Sequence, residues 1–322
     1  RGEGTVTAAG PSPSSPMVAP LLRNVAKVMV GKDEQVRLTV ACLLAGGHVL
    51  FEDVPGVGKT VMARALAASI GGVVRRIQFT PDLLPSDVTG LSVYNQKTSE
   101  FDFKPGPIAA NVVLADEINR ANPRTQAALL EAMGERQVTV DGVTHRLEEP
   151  FFVMATQNPV EMHGTYALPE AQLDRFLMRL SLGYPSLSEE AEVVVRQAQG
   201  HPLDTLSSVC TLDDVRKMSQ ASRQVAVKPV LVRYMALLTA ATRGRAELLL
   251  GASPRATLAL YRCAQAWAFM SGREFGAPDD VKAVTRPVLA HRLILSGQGG
   301  PGERGVAAVV DRILDEGIIP AG

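Results

Sequence analysis

The sequence predicts an α/β domain built on a parallel sheet flanked by helices, followed by a smaller all-helical domain. Three observations carry that expectation. Short apolar, β-prone runs alternate with helical stretches through the first 185 residues. A Gly- and Pro-rich break, VPGVG, precedes Lys59–Thr60 and leads directly into helix-friendly residues. From about residue 206 the strand signals stop and helical periodicity continues.

Taken in order, the opening RGEGTVTAAGPSPSSP (1–16) is too rich in Gly, Ser and Pro to bury much surface and is expected as a disordered tail. It lacks the apolar centre of a signal peptide. Residues 17–45 carry apolar positions at helical spacing, interrupted by VGKDE. Five runs then resemble strands: GHVLFE (47–52), VVRRIQFT (73–80), NVVLADE (111–117), FFVMATQN (151–158) and FLMRLSLG (176–183). Continuous apolar runs of this kind suit strands covered on both faces. Two hairpins interrupt the alternation. RQVTVDGVTHRL alternates Val138, Val140 and Val143 around Asp141–Gly142, a dipeptide that favours a type I′ turn. LSVYNQKTSEFDFKPGPI alternates around a polar centre. The core is expected over 17–185, a linker over 186–205 and a helical domain over 206–297. Helices there start at Thr, Ser or Pro, as in TLDDVRKMSQASRQ and APDDVKAVTRPVLAHRLIL, where such residues cap or begin helices. The Gly-rich SGQGGPGERG opens an end, 298–322, expected to be loosely held.

Composition excludes several classes. Lys plus Arg is 33 and Asp plus Glu is 33, so nucleic-acid binding by bulk charge is not indicated. No apolar run approaches the roughly 20 residues of a membrane span. Three distant cysteines, Cys42, Cys210 and Cys263, give neither a disulfide framework nor a zinc site and fit a reducing, cytoplasmic setting. His48, His145, His163, His201 and His291 show no metal spacing. Trp267, Tyr261 and Met270 lie near helical spacing, which points to core packing.

The chemistry concentrates in three stretches. Gly56 and Gly58 let the backbone curl so that successive N–H groups point inward, and the helix opening near Lys59 adds its positive end. Lys59 would meet β- and γ-phosphates and Thr60 would offer a hydroxyl to Mg²⁺, with Pro55 stiffening the turn. Pro55, Gly56, Val57, Gly58, Lys59, Thr60 and Val61 are thus the candidate cradle. Asp53 departs from the phosphate-loop pattern G-x-x-x-x-G-K-[ST], whose first position is Gly. NVVLADEINR ends an apolar strand in Asp116–Glu117, where open parallel sheets bind ligands. Asp116 would hold the metal through its water shell and Glu117 would orient and polarise a water. Asn158 in VMATQNP ends another strand; its amide could bond both phosphate and water, or simply begin a turn before Pro159.

VPGVGKT, LADEINRANPRTQAALLEAM, ATQNP, LPEAQLDRFLMR and GASPRATLAL together resemble the MoxR group of AAA+ ATPases, from about Val18 to Ser296. The resemblance implies an AAA+ P-loop NTPase core with a C-terminal helical lid, one hairpin inside helix 2 and another before the sensor-1 strand. Lys59 and Thr60 then fall in Walker A, and Asp116 and Glu117 in Walker B. Asn158 matches sensor 1, Arg175 the arginine finger and Arg255 sensor 2, while Val30 and Gly31 sit where such proteins place backbone against adenine. Arg175 could instead pair with Asp174 or Glu170, with Arg179 as a neighbouring competitor. Arg255 follows Pro254 in a helix's first turn, where a cation opposes the helix dipole. The family implies ATP and Mg²⁺, a homo-oligomeric, hexameric ring, and chaperone-like work on protein complexes with partners that bear von Willebrand factor A domains. A metal-chelatase subunit, a DNA-acting motor and a nucleotide-dependent scaffold are the alternatives.

Overall fold

Each long apolar run splits its side chains between two layers, as the two-residue period of a strand demands. Val49 and Phe51, Val112 and Leu114, and Phe152 and Met154 face one buried cluster, while Leu50, Val113, Ala115, Val153 and Ala155 face the other. The computed structural model describes residues 15–158, 165–198, 200–296 and 302–317. Residues 1–14, 298–301 and 318–322 of the expected tails, with Pro159 and His163, lie outside the described residues.

Helices α1 (Ala19–Ala26) and α2 (Asp33–Leu44) lead into β1 (Val49–Glu52), the phosphate-loop candidate and α3 (Lys59–Ser69). Strand β2 (Val74–Gln78) and the short α4 (Pro85–Thr89) precede the hairpin β3 (Gly90–Asn95) and β4 (Glu100–Pro105). Next come β5 (Val112–Asp116), α5 (Pro123–Glu135), the hairpin β6 (Gln137–Val140) and β7 (Val143–Arg146), and β8 (Phe152–Gln157). Asn122 caps α5 by accepting from the Arg124 and Thr125 N–H groups, and Pro123 fills the first helical position, where its missing donor costs nothing. The short α6 (Glu170–Leu173) and β9 (Met178–Leu180) close the core. The central sheet is parallel in the order β2-β5-β8-β1-β9, so each of the five apolar runs forms one strand of it. Helices α1–α3 cover one face and α5 the other.

After the core come α7 (Leu187–Ala198), α8 (Leu212–Arg223), α9 (Pro229–Ala241), β10 (Leu248–Leu250), α10 (Pro254–Met270), α11 (Pro278–Leu289), β11 (Ile294–Leu295) and α12 (Gly302–Asp315). Three features differ from the sequence expectation. The stretch expected as a linker holds the three-turn helix α7. The expected all-helical region contains an antiparallel pair, β10 with β11; strands of two and three residues are too short to show a period. The expected loose end forms α12, whose Val306, Val309, Val310 and Ile313 are buried against the lid helices. Its apolar positions recur at three- and four-residue spacing, behind a Gly-rich stretch that masks them.

The helical region packs directly on the core. Buried residues of α9–α12 and of α2 and α3 belong to one continuous apolar cluster. Arg37 of α2 stacks over the Trp267 ring of α10 at 5.0 Å, a cation–π contact that ties the two layers. All three cysteines are free. Among the described residues no helix is long and apolar enough to cross a membrane.

Candidate nucleotide site

The loop after β1 turns on Gly56 and Gly58, with φ of 88° and 100°, a left-handed geometry that glycine adopts without strain. Gly58 caps α3 with no side chain over the first-turn N–H groups. The Lys59 ammonium donates to the carbonyls of Asp53 (2.9 Å) and Val54 (3.3 Å). Burial lowers its pKa from the ordinary lysine value, opposed by the charges of Asp53, Asp116 and Glu117. Thr60 is exposed in the first turn of α3.

Asp53 is no phosphate ligand. Its buried carboxylate accepts from Ser181 Oγ at 2.6 Å, Leu182 N at 2.7 Å and Gly183 N at 3.1 Å. It fastens the exit of β9 to the base of the loop, which explains why Gly is absent there.

Strand β5 sets Asp116 and Glu117 beside the loop, and four side chains hold them, two of which, Arg76 and Gln78, lie outside the quoted motifs. Thr156 Oγ donates to Asp116 Oδ1 at 2.6 Å and accepts from the Glu117 N–H at 2.8 Å. Arg76 donates to Asp116 Oδ2 through Nη2 (2.6 Å) and Nε (3.1 Å). Gln78 Nε2 donates to Glu117 Oε2 at 2.7 Å, and Arg120 meets the same oxygen at 3.0 Å. Glu117 has a φ of 56°, a left-handed turn that an ordinary residue holds only when neighbours fix it. The two-residue spacing of Arg76 and Gln78 on β2 was the available signal for this network; Thr156 lay inside the ATQNP stretch, but only Asn158 was given a role there. Asn158 is buried at the end of β8.

A cleft opens beside the loop, lined by Met29, Val30, Val57, Val61, Pro185 and Val193, with His201 among its polar members. Val30 therefore lies at the cleft. Gly31 supports it from behind: at φ 69°, a Cβ there would stand 1.8 Å from Glu189 Oε1. The α7 residues of this wall were assigned to a linker by sequence and so were missed.

The two arginines lie elsewhere. Strand β9 pairs in parallel with β1, Met178 beside Val49 and Leu180 beside Phe51. Lys59 follows the last residue of β1, whereas Arg175 precedes the first of β9. The two stand at opposite ends of the sheet, separated by a strand length of roughly 10 Å or more. Arg175 is exposed and donates to the Leu130 carbonyl at 2.6 Å. It does not take Asp174, which is claimed by the buried Arg292 at 2.7 Å and approached by Arg255 at 3.7 Å. Arg255 thus stands on the arginine end of the same subunit, its side chain 80% exposed. Arg179 is spoken for, paired with Glu52 at 2.8 Å.

A glycine-turned loop after the central β1, an acidic pair on β5 and a helical lid define an AAA+ module. A family described as ATPases associated with various cellular activities matches residues 48–178, and an AAA lid domain matches 240–313. The uncharacterised protein YeaC of Bacillus subtilis is 52% identical over 87% of this chain and 88% of its own. Chaperone MoxR1 of Mycobacterium tuberculosis is 41% identical over 92% of this chain and 81% of its own. The crystal structure of a candidate ATPase from Cytophaga hutchinsonii superposes with a TM-score of 0.88 at 38% identity, covering 95% of each chain. The chain belongs to the MoxR family of AAA+ ATPases.

Proposed function

We propose that this chain hydrolyses ATP to ADP and phosphate at a site completed by a neighbouring copy, and spends the cycle on chaperone-like remodelling of protein complexes. The carrying observation is the opposite placement of Lys59 and Arg175 on the sheet. A guanidinium that cannot reach its own loop can reach the loop of the next subunit in a ring, as a hexamer would arrange. Arg255, beside Asp174, is offered to the same neighbour.

The donors fit magnesium. The Thr60 hydroxyl and the Asp116 carboxylate are oxygen ligands, and Mg²⁺ takes one or two carboxylates alongside phosphate oxygens and waters rather than a protein cage. Bound there, it would neutralise charge on the phosphates. Lys59 and the α3 N–H groups hold the β- and γ-phosphates. Glu117 orients the attacking water and takes its proton as the bond from phosphorus to the β–γ bridging oxygen breaks. Asn158 positions water and γ-phosphate. Arg175 and Arg255 of the neighbour meet the charge that develops on the transferring group. Core (17–185) and lid (206–297) are the bodies whose angle would change through the cycle.

The chaperone reading is supported by the name of the mycobacterial relative. The clients proposed are proteins with von Willebrand factor A domains, met in the cytoplasm. Hydrolysis is tested with Glu117→Gln, expected to bind ATP and stall. The trans site is tested by mixing Arg175→Ala with wild-type protein. Poisoning beyond simple dilution is the expected result; activity that falls in strict proportion to the wild-type fraction overturns the shared site.

A further inference from the structure

We infer that the outer face of α7 is the seat for the next copy of this chain, so that closing the nucleotide cleft and delivering the arginines are one event. This rests on the shared-site reading above.

Helix α7 has two faces. Its inner face holds the cleft: Glu189 packs over Gly31, Val193 lines the wall, and Arg196 donates to the Lys27 carbonyl at 2.7 Å. Its outer face carries Leu187, Ala191, Val194, Val195 and Ala198, at the four- and three-residue steps of a helical stripe. All five are exposed, Leu187 by 88%, Val194 by 64% and Val195 by 59%. Single exposed apolar residues need no explanation, but a contiguous apolar stripe along a whole helix marks a contact surface.

The occupant follows from the site's geometry. The copy that brings Arg175 and Arg255 to this cleft must bring the surface on which they stand. That surface includes the outer stripe of α10, where Arg255 is followed at three and seven residues by Leu258, 61% exposed, and the exposed Arg262. Leu249 of the adjoining β10 is 75% exposed. The α7 stripe is edged by the exposed Glu190. An acidic–apolar stripe on the nucleotide side therefore meets a basic–apolar stripe on the arginine side. The two patches differ, so the contact is head-to-tail and propagates into a ring. Because α7 walls the cleft with its other face, a nucleotide that fixes α7 from inside prepares the seat outside.

The test uses the full chain carrying Glu117→Gln, with ATP and Mg²⁺, followed by sedimentation velocity. Adding Leu187→Glu and Val194→Glu, both at exposed positions, should weaken assembly by about tenfold or more. A fluorescent ATP analogue should still bind the dilute variant as it binds the parent. Glu190→Arg and Arg262→Glu should each weaken assembly, and together restore it. Unchanged assembly in the double glutamate variant overturns this inference and leaves the shared site standing. So does loss of client binding with assembly intact. A parent chain that stays monomeric with ATP overturns both readings.

Discussion

Asp53→Gly would restore the general phosphate-loop pattern, yet it should damage this protein. Asp53 is 6% exposed, and its carboxylate accepts from three donors, two of them backbone N–H groups, at 2.6, 2.7 and 3.1 Å. Hydrogen bonds to a charged group contribute about 1.5–3 kcal/mol each, and an N–H left buried without a partner costs about 1–3 kcal/mol. The added backbone freedom of Gly contributes up to about 1 kcal/mol more. These terms overlap because the donors share one acceptor. A loss of about 3–5 kcal/mol is therefore expected, a large part of the usual 5–15 kcal/mol. Thermal unfolding with and without ATP reads the stability, and titration with a fluorescent ATP analogue reads the loop. The expected result is a clear fall in Tm with nucleotide affinity no better than wild type. Asp53→Asn should fall between, because its amide offers one acceptor where two are needed. An Asp53→Gly protein with unchanged Tm and tighter nucleotide binding would refute the assignment of Asp53 as a fastening residue.

Three further outcomes are expected. Thr156→Val keeps the shape but removes the bonds to Asp116 and Glu117; kcat should fall about tenfold to a hundredfold, as a positional loss of about 1.4–3 kcal/mol implies, while steady-state assays at saturating ATP that match wild type would refute the role. Gly31→Ala strains a φ of 69° and sets a methyl on the Glu189 carboxyl, so Glu189 must swing off the cleft wall and ATP affinity should drop, read by the same titration. His48 is buried, its Nδ1 accepting from Val153 N and its Nε2 facing the Met133 carbonyl, and burial pushes its pKa down to about 4. The folded state then resists protonation that the unfolded state accepts from about pH 6.5 downward, so stability is full above that pH. His48 should contribute a decline of up to about 3 kcal/mol as pH falls to about 4, and His48→Gln should lessen the slope of a denaturant-midpoint profile there, the remainder coming from the buried His291, whose pKa burial also lowers.

The sequence by itself determined the elements whose signals are local. Apolar runs, the Asp141–Gly142 turn, the glycines before Lys59 and the acidic pair ending β5 each depend on residues within a few positions of one another, and each could be seen in the string. So could the family, since its motifs are short and ordered. Tertiary structure decided what depends on strand register and on distant partners. The parallel pairing of β9 with β1 puts Arg175 at the end of the sheet opposite Lys59, although both lie in motifs proposed for one catalytic set. Asp53 became a fastener because residues 181–183 arrive beside it, 128 to 130 positions along the chain. Thr156 acquired its task only when β8 lay down next to β5. A helix such as α7, apolar on an exposed face, was hidden because sequence patterns record which residues share a face, while the fold alone decides what that face meets.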